Sequence, residues 1–459
     1  MVYIINHLFI CEYLIYNENT KLCILGIHVN LKGEIMLRYI IVFLAGAMGS
    51  LLANRGIAVF NDAVRPIVPE YREGRMSRVE FATTTFGLSF GLVIGFGLPY
   101  SLLYSIILVH SLWLGTDILG TLFPAKQTDD WYKDKTSLLG AIGAFVVGGI
   151  YGVGLLAGLT GLNAFFQSLP VSVFDAWMSI SDPITYAFIA FPIVAICIDY
   201  GWKKALISAI IVVLARQGFV MLGNGYEDAI TMFAGIVLLV IFAVTDKSEE
   251  KTDLASLFSD RMANIRKNIV WIAVMGAIYA AACNIGLLME GPTSLGQVAD
   301  GDTANAIATT IARALSFIPL KGLTSLTTGT FVTDGFGFTA TVGLVAPNVV
   351  VAAVLGAVVM SIEALSLVLV AKVFDKFPGI KKSADSMRVA MTDLLEVALL
   401  AGSMIAAGNM AGSLGYLVVA AFYCANKYFK TPITSLAVGP IATIVVALLA
   451  NILAVVGLF

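Results

Sequence analysis

The sequence predicts an all-α integral membrane protein of about twelve transmembrane helices with two re-entrant or discontinuous segments. Three observations predict it. Hydrophobic residues make up 59% of the 459 and charged residues 13%, with a mean hydropathy of +0.90. Apolar runs of the roughly 20 residues that a spanning helix needs recur along nearly the whole chain, leaving no stretch for a soluble domain. Lysine and arginine collect in alternate loops, the pattern of short cytoplasmic connections. The net charge of −2 is a small difference between 28 basic and 30 acidic residues and gives no reason to expect a nucleic-acid partner.

Residues 1–35 lack a basic start, one clean apolar core and a small-residue cleavage site, so they make a poor signal peptide. They read as a poorly ordered or upstream extension ahead of a single polytopic membrane domain, 36–459, that opens at Met36. Apolar runs place spans at 37–53, 81–98, 100–123, 138–163, 184–198, 205–223, 229–245, 268–289, 348–371, 391–410, 412–426 and 432–458. The basic loops are Arg55 to Arg78, Lys203 with Lys204, Lys247 to Lys267, Lys372 to Arg388, and Lys427 with Lys430. Twelve spans put every basic loop on one side and both ends of the membrane domain outside. The loops Gly223 to Asp228 and Glu290 to Asp302 are acidic and nearly free of lysine, as external loops would be.

Two stretches fit neither a clean span nor a hydrophilic loop: TGLNAFFQSLPVSVFDAWMSISDP (160–183) and KGLTSLTTGTFVTDGFGFTATVGLVAPN (321–348). Non-helical backbone at membrane depth survives only where protein buries it or water reaches it. Pairs of Gly/Pro-interrupted apolar segments are the usual pointer to a transporter's central site. Asn163 and Asp182 in the first, with Thr328 and Asp334 in the second, are therefore candidate pathway residues. Each stretch leads to a span opening at a proline, Pro183 or Pro347, which reads as a weak duplication. The loop topology puts both on one face, where an inverted repeat would put them on opposite faces.

Acidic side chains inside apolar spans are functional-site hypotheses by default, because a carboxylate at mid-bilayer costs roughly 2.5 kcal/mol or more. Glu363 lies mid-span in VVVAAVLGAVVMSIEALSLVLVA. Asp393 and Glu396 share a helical face with Ser403, Asp393 being nearer the cytoplasmic end. The competing explanation is a structural ion pair, with Arg216 in ISAIIVVLARQGFVML as the base. Asp117 in GTDILG and Asp182 in SISDP are flanked by glycine or proline and suit helix caps as well as a pathway. Asp62 and Arg65, in NRGIAVFNDAVRPIVPEYREGRMSRVEF, form either a cytoplasmic gate or a positive-inside anchor.

Other patterns are weaker. Glycines four apart, at Gly87, Gly91 and Gly95 and at Gly154 and Gly158, suit close helix packing. No phosphate-binding GxxxxGK[ST] loop occurs. Asp129, Asp130 and Asp134 resemble an acidic Mg²⁺-diphosphate cluster but are interleaved with Lys126, Lys133 and Lys135, which favours a solvated loop. Five scattered cysteines, Cys11, Cys23, Cys197, Cys283 and Cys424, and isolated His7, His28 and His110 suggest neither a metal site nor a disulfide framework. No cofactor and no enzymatic chemistry are expected.

Through AVFNDAVRPIVPE, GTDILG, FPIVAICIDYGWKKALI, VAAVLGAVVMSIEAL and TDLLEVALLAGS, the chain from Met36 onward resembles the YhfT family of bacterial inner-membrane proteins. The resemblance implies a multi-spanning inner-membrane protein of the kind presumed to transport, and carries over no functional residues. The resulting expectation is a cation- or proton-coupled secondary transporter of a small polar organic solute. Glu363 and Glu396 would carry the coupling ion, since burial raises a carboxylate's pKa toward the physiological range. A phosphotransferase-type sugar permease subunit and a membrane-embedded enzyme or lipid-handling protein are the alternatives. Expected partners are the solute, membrane lipid and a second copy of the chain in a homodimer.

Overall fold

A glycine ends each of two equivalent helices. Helix α1 (Leu31–Arg55) and helix α11 (Ile269–Asn284) both close at a left-handed residue, Gly56 and Gly286, each with φ of 60°. Gly56 N donates to Ala53 O and Ile57 N to Leu52 O. Gly286 N donates to Cys283 O and Leu287 N to Ala282 O, at the same distances of 3.1 and 2.9 Å. This Schellman closure satisfies the last carbonyls and turns the chain into extended backbone. The extended stretches are β3 (Ala58–Val59) and β5 (Leu288–Met289), 230 positions apart at 58 and 288.

The computed structural model describes the chain outside residues 1–22, 25–26, 29–30, 62–63, 65–66, 73, 127–129, 224–226, 247–253, 334–336, 431–432 and 459. It divides into two compact units, 1–40 and 41–459. In the first, β1 (Cys23–Ile24) pairs antiparallel with β2 (Ile27–His28). Among the described residues, nine helices are long and apolar enough to cross a membrane, or ten if one bent pair is a single span.

The second unit runs through the same order of elements twice. After β3 come a short helix α2 (Ile67–Arg72), then α3 (Arg78–Leu92), a π turn (Val93–Gly97) and α4 (Leu98–Tyr104) in one rod, followed by β4 (Ile107–Leu108). Helices α5 (Val109–Leu122), α6 (Lys135–Ser168), α7 (Val173–Tyr200), α8 (Trp202–Leu222) and α9 (Glu227–Thr245) complete the first repeat. A connecting helix, α10 (Leu254–Lys267), bends by 61° into α11. After β5 follow short α12 (Pro292–Ala299), long α13 (Thr303–Thr328), β6 (Phe331–Val332) and α14 (Phe338–Val345). Helices α15 (Val349–Lys376), α16 (Pro378–Ala411), α17 (Ser413–Asn426) and α18 (Ser435–Val455) complete the second.

Packing repeats with the order. Asn54 donates its amide to Gly120 O and Phe123 O at the end of α5; Asn284 does the same to Gly343 O and Ala346 O at the end of α14. A Cβ at Gly46 or Gly148 would overlap the other's carbonyl oxygen, joining α1 to α6, and the same holds for Gly276 and Gly356 between α11 and α15. The strands cross-pair reciprocally. Ala58 opposes Phe331, and Ile107 opposes Leu288, both pairs parallel. Phe331 N donates to Ile57 O and Ile107 N to Leu287 O, each at 3.0 Å. Exchanging the repeats turns one strand pair into the other. All four strands are buried where their burial is described, which is the condition for irregular backbone inside a bilayer.

Three expectations change. The 160–183 stretch breaks once, at 169–172, between two long helices rather than within a broken span: α6 continues to Ser168 and α7 starts at Val173, carrying both Pro183 and Pro192 inside it. Prolines are tolerated in membrane helices because neighbouring groups re-satisfy the freed backbone. The expected span 100–123 is broken at Ser105 and β4. The Glu290 to Asp302 stretch expected as an external loop carries α12, and from 303 on, where no span was expected, α13 runs as a continuous helix with Pro319 inside. The duplication therefore pairs other segments than 160–183 and 321–348. Pro347 follows the Ala346 carbonyl bound by Asn284, as Pro124 follows the Phe123 carbonyl bound by Asn54.

Candidate functional site

Helices α7 to α9 and α16 to α18 pack among themselves in matching pairs, and α7 lies against α16. Two cavities sit between these helices and the segments from β3 to α5 and from α12 to α13. The first, about 550 Å³, is walled by Gly291–Ser294 at the start of α12, by Thr309, Arg313 and Phe317 of α13, and by Thr185, Phe188 and Ile189 of α7. The second, about 890 Å³, is walled by Phe60 and Asn61 after β3, by Leu88 and Leu92 of α3, and by Arg388, Met391 and Thr392 of α16. The α7 and α16 residues stand at the same i, i+3, i+4 spacing, so exchanging the repeats exchanges the two chambers.

Four residues wall both chambers: His110, Phe188, Arg313 and Phe317. They form the layer between them. The His110 ring meets Phe60 and Phe96 edge-on, with centroids 4.9 and 4.7 Å apart, and Phe96 lies 5.6 Å from Phe188. Arg313, Phe317 and Lys321 fall at i, i+4 and i+8 along one face of α13, with the two cations 5.0 and 5.6 Å from the ring centre. Aromatic contact of this kind holds a cation in a partly desolvated place.

Behind them sits Glu290, 2% exposed, on the extended backbone just after β5. Its Oε1 pairs with Arg313 and, at 3.2 Å, with Lys321 Nζ; its Oε2 accepts from Tyr279 Oη at 3.3 Å. Trp113 braces Tyr279 at 4.7 Å. The carboxylate lies 2.9 Å from where a Cβ of Gly337 would be, and Gly337 has φ of 95°, so two constraints select glycine there. Buried charges need partners of this completeness, because removing one member strands the rest away from water.

The residues singled out from sequence are dispersed. Glu363 is buried on α15 and accepts from Phe338 N at 3.0 Å, capping α14. Glu396 is half-buried and accepts from Tyr423 Oη at 2.7 Å, while Asp393 and Asp182 are exposed. Asp117, 1% exposed, accepts from Phe60 N and Asn61 N and so holds the backbone leaving β3. Thr328 is buried, its hydroxyl donating to Thr324 O within α13. None of these six lines either chamber. Arg216 does form an ion pair, but with Asp228 at 2.9 Å rather than with Glu363 or Glu396. Arg216 lies in the last two turns of α8 and Asp228 in the first turn of α9. Asp62, Arg65 and Asp334 lie outside the described residues, as does the side chain of Asn163. In the acidic loop, Asp130 pairs with Lys133 and Asp134 with Lys126; the Lys126 hydrogen bond and the Ser137 backbone hold Asp134 at about 2.

Glu290, Arg313, Lys321 and His110 escaped the sequence reading. The lysine-poor Glu290 to Asp302 stretch has the composition of an external loop, and α13, with a hydropathy of 1.2, is weakly apolar for a span. The available signal was two bases eight apart in one stretch of spanning length, which carries the same default as a buried acid.

Together these features define a multi-span membrane protein built from a repeated broken-helix unit around a buried charge cluster. The chain belongs to the YhfT family, described as "Protein of unknown function", which matches residues 38–459. It is 34% identical over 445 residues to "Uncharacterized protein YhfT" of Escherichia coli (strain K12), covering 93% of this chain and 99% of that protein. No solved structure matches it.

Proposed function

We propose that the chain is a secondary transporter that moves a small polar organic solute across the bacterial inner membrane by alternating access, coupled to a proton or another cation. The observation that carries this reading is the pair of repeat-related chambers meeting at one layer of His110, Phe188, Arg313 and Phe317. Repeats related across the membrane with a site at their junction are the recurring architecture of such carriers. The basic loops support opposite orientations for the repeats. Helix α1 runs toward the Arg55–Arg78 loop, whereas α11 leads away from Arg266 and Lys267, so the chamber walled by Arg388 faces the cytoplasm. Opening one chamber while closing the other requires only that the α7–α9 and α16–α18 helices shift against the rest. Glu363 is the proposed coupling carboxylate: its protonation withdraws an acceptor from the start of α14, which is tied to α13 through Thr341 and Thr310 at 3.1 Å.

Membrane vesicles with and without the chain, given a labelled metabolite extract under pH and sodium gradients, test the reading by mass spectrometry of their contents. At least one solute should accumulate only with the chain, and Glu363→Gln should abolish the gradient dependence. Identical contents in both vesicle types would sink the transport reading.

A further inference from the structure

We infer that the solute is a small organic anion, gripped through its carboxylate or phosphate by Arg313 and Lys321 at the layer between the chambers. The inference takes the chambers as the solute's path and so rests on the transport reading for its movement, though not for its binding. Arg313 is the charged residue that reaches both chambers, and Lys321 and Arg388 join it in the second, whose described lining residues include no carboxylate. Glu290 pairs with both central cations and accepts from Tyr279, and neither Glu290 nor Tyr279 is among the described residues that wall either chamber. Two cations thus meet one carboxylate, and both cations wall the second chamber; a guanidinium has five donors to distribute.

Around the first chamber the backbone adds to the same preference. Gly291 caps α12, with Thr293 and Ser294 in its first turn, and the Arg313 stem packs 3.4 Å from where a Gly291 Cβ would stand. A helix start beside a guanidinium offers donors and positive potential together. The first chamber's acid, Asp228, is engaged by Arg216. A cationic solute would meet Arg313 from either side, and a neutral one would gain hydrogen bonds charged on the donor alone, without the ion pair.

The test uses the full chain purified in detergent, with thermal unfolding followed at constant ionic strength. Probes are succinate, glycerol 3-phosphate and inorganic phosphate, against glycerol, choline and chloride. Succinate or glycerol 3-phosphate should raise the midpoint saturably, the two separating a carboxylate from a phosphate preference, while chloride, choline and glycerol do not. Arg313→Gln and Lys321→Gln should each weaken the response roughly tenfold, the worth of one charge-assisted hydrogen bond, and Lys321→Arg should restore it. Should the glutamine variants not fold, the native chain still decides: a larger response to choline or glycerol than to every anion overturns the inference. So does an anion response that chloride matches, or that survives in both glutamine variants. An anion that binds but never enters vesicles containing the chain leaves the site standing and removes the transport reading. Accumulation of a neutral or cationic solute does the reverse.

Discussion

Asn54 and Asn284 make the same two hydrogen bonds to the same two carbonyls of equivalent helices, yet six residues further on Phe60 is matched by Glu290. The two repeats share their backbone and differ in their charge. The glycine closures, the strand register and the glycine contacts recur, because each answers a geometric need that is the same in both halves: ending a helix at depth and bringing two helices within backbone contact. The N-caps Ser77 and Asp302 stand 225 positions apart, whereas β4 and β6, at 107 and 331, stand 224 apart. The extra residue of the first repeat is absorbed in its π turn, a wide turn that is a frequent companion of functional sites. Through the 225 offset Arg313 is matched by Leu88 and Phe317 by Leu92, and both leucines wall the second chamber. A duplicated frame thus carries its ionic cluster in one copy only, so equivalent walls of the two chambers differ in chemistry.

The sharpest way to break this comparison is to exchange its asymmetric pair. Glu290→Leu takes an anion away from two buried cations and should cost about 3–5 kcal/mol, whereas Phe60→Leu, an apolar swap, should cost about 1 kcal/mol; denaturant unfolding in detergent reads both. Equal losses would mean that the charge cluster is no special feature of the second repeat. Next come the shared glycines. Gly46→Ala and Gly276→Ala push a methyl into a carbonyl of the facing helix and should each cost about 2–3 kcal/mol, the upper part of the overpacking range, because backbone cannot step aside. The asparagines should follow at about 2 kcal/mol each, since alanine strips two hydrogen bonds from buried carbonyls. A difference beyond 1 kcal/mol between Asn54→Ala and Asn284→Ala would show that the repeats are mechanically unequal. The smallest effects are expected where the repeats solve one turn with different residues. Ser105 has φ of 53° and its counterpart Gly329 has φ of 68°. Ser105→Gly should gain about 1 kcal/mol and Gly329→Ala lose about as much, measured as opposite shifts of the unfolding midpoint.

Much of the fold was legible in the chain. Ten of the expected spans correspond to continuous helices because long apolar runs can satisfy their backbone in a bilayer only as helices. The interruption at 321–348 was legible from Gly329, Gly337 and the threonines between them. Packing by Gly91 and Gly95 was legible as well: a Cβ at either would collide with Leu436 or Leu399. Gly154 faces open space, so spacing alone did not identify a contact. The site was less legible. Acids stand out in apolar text, and Glu363 and Asp117 are buried, but each accepts from backbone amides near a chain break. Arg313 and Lys321 lie in a helix of ordinary polarity, and nothing local says that Glu290, some 23 residues before Arg313, returns to them.

By itself the sequence determined the class and most of the long helices, since those follow from local hydropathy and from the cost of carrying charge across lipid. Only the tertiary structure decided which breaks pair with which, that the chain is one unit used twice, and that its central charges are Glu290, Arg313 and Lys321. Those depend on contacts between residues as far apart as Ala58 and Phe331, where a parallel pair of two-residue strands leaves too short a pattern to read and burial alone selects the partner.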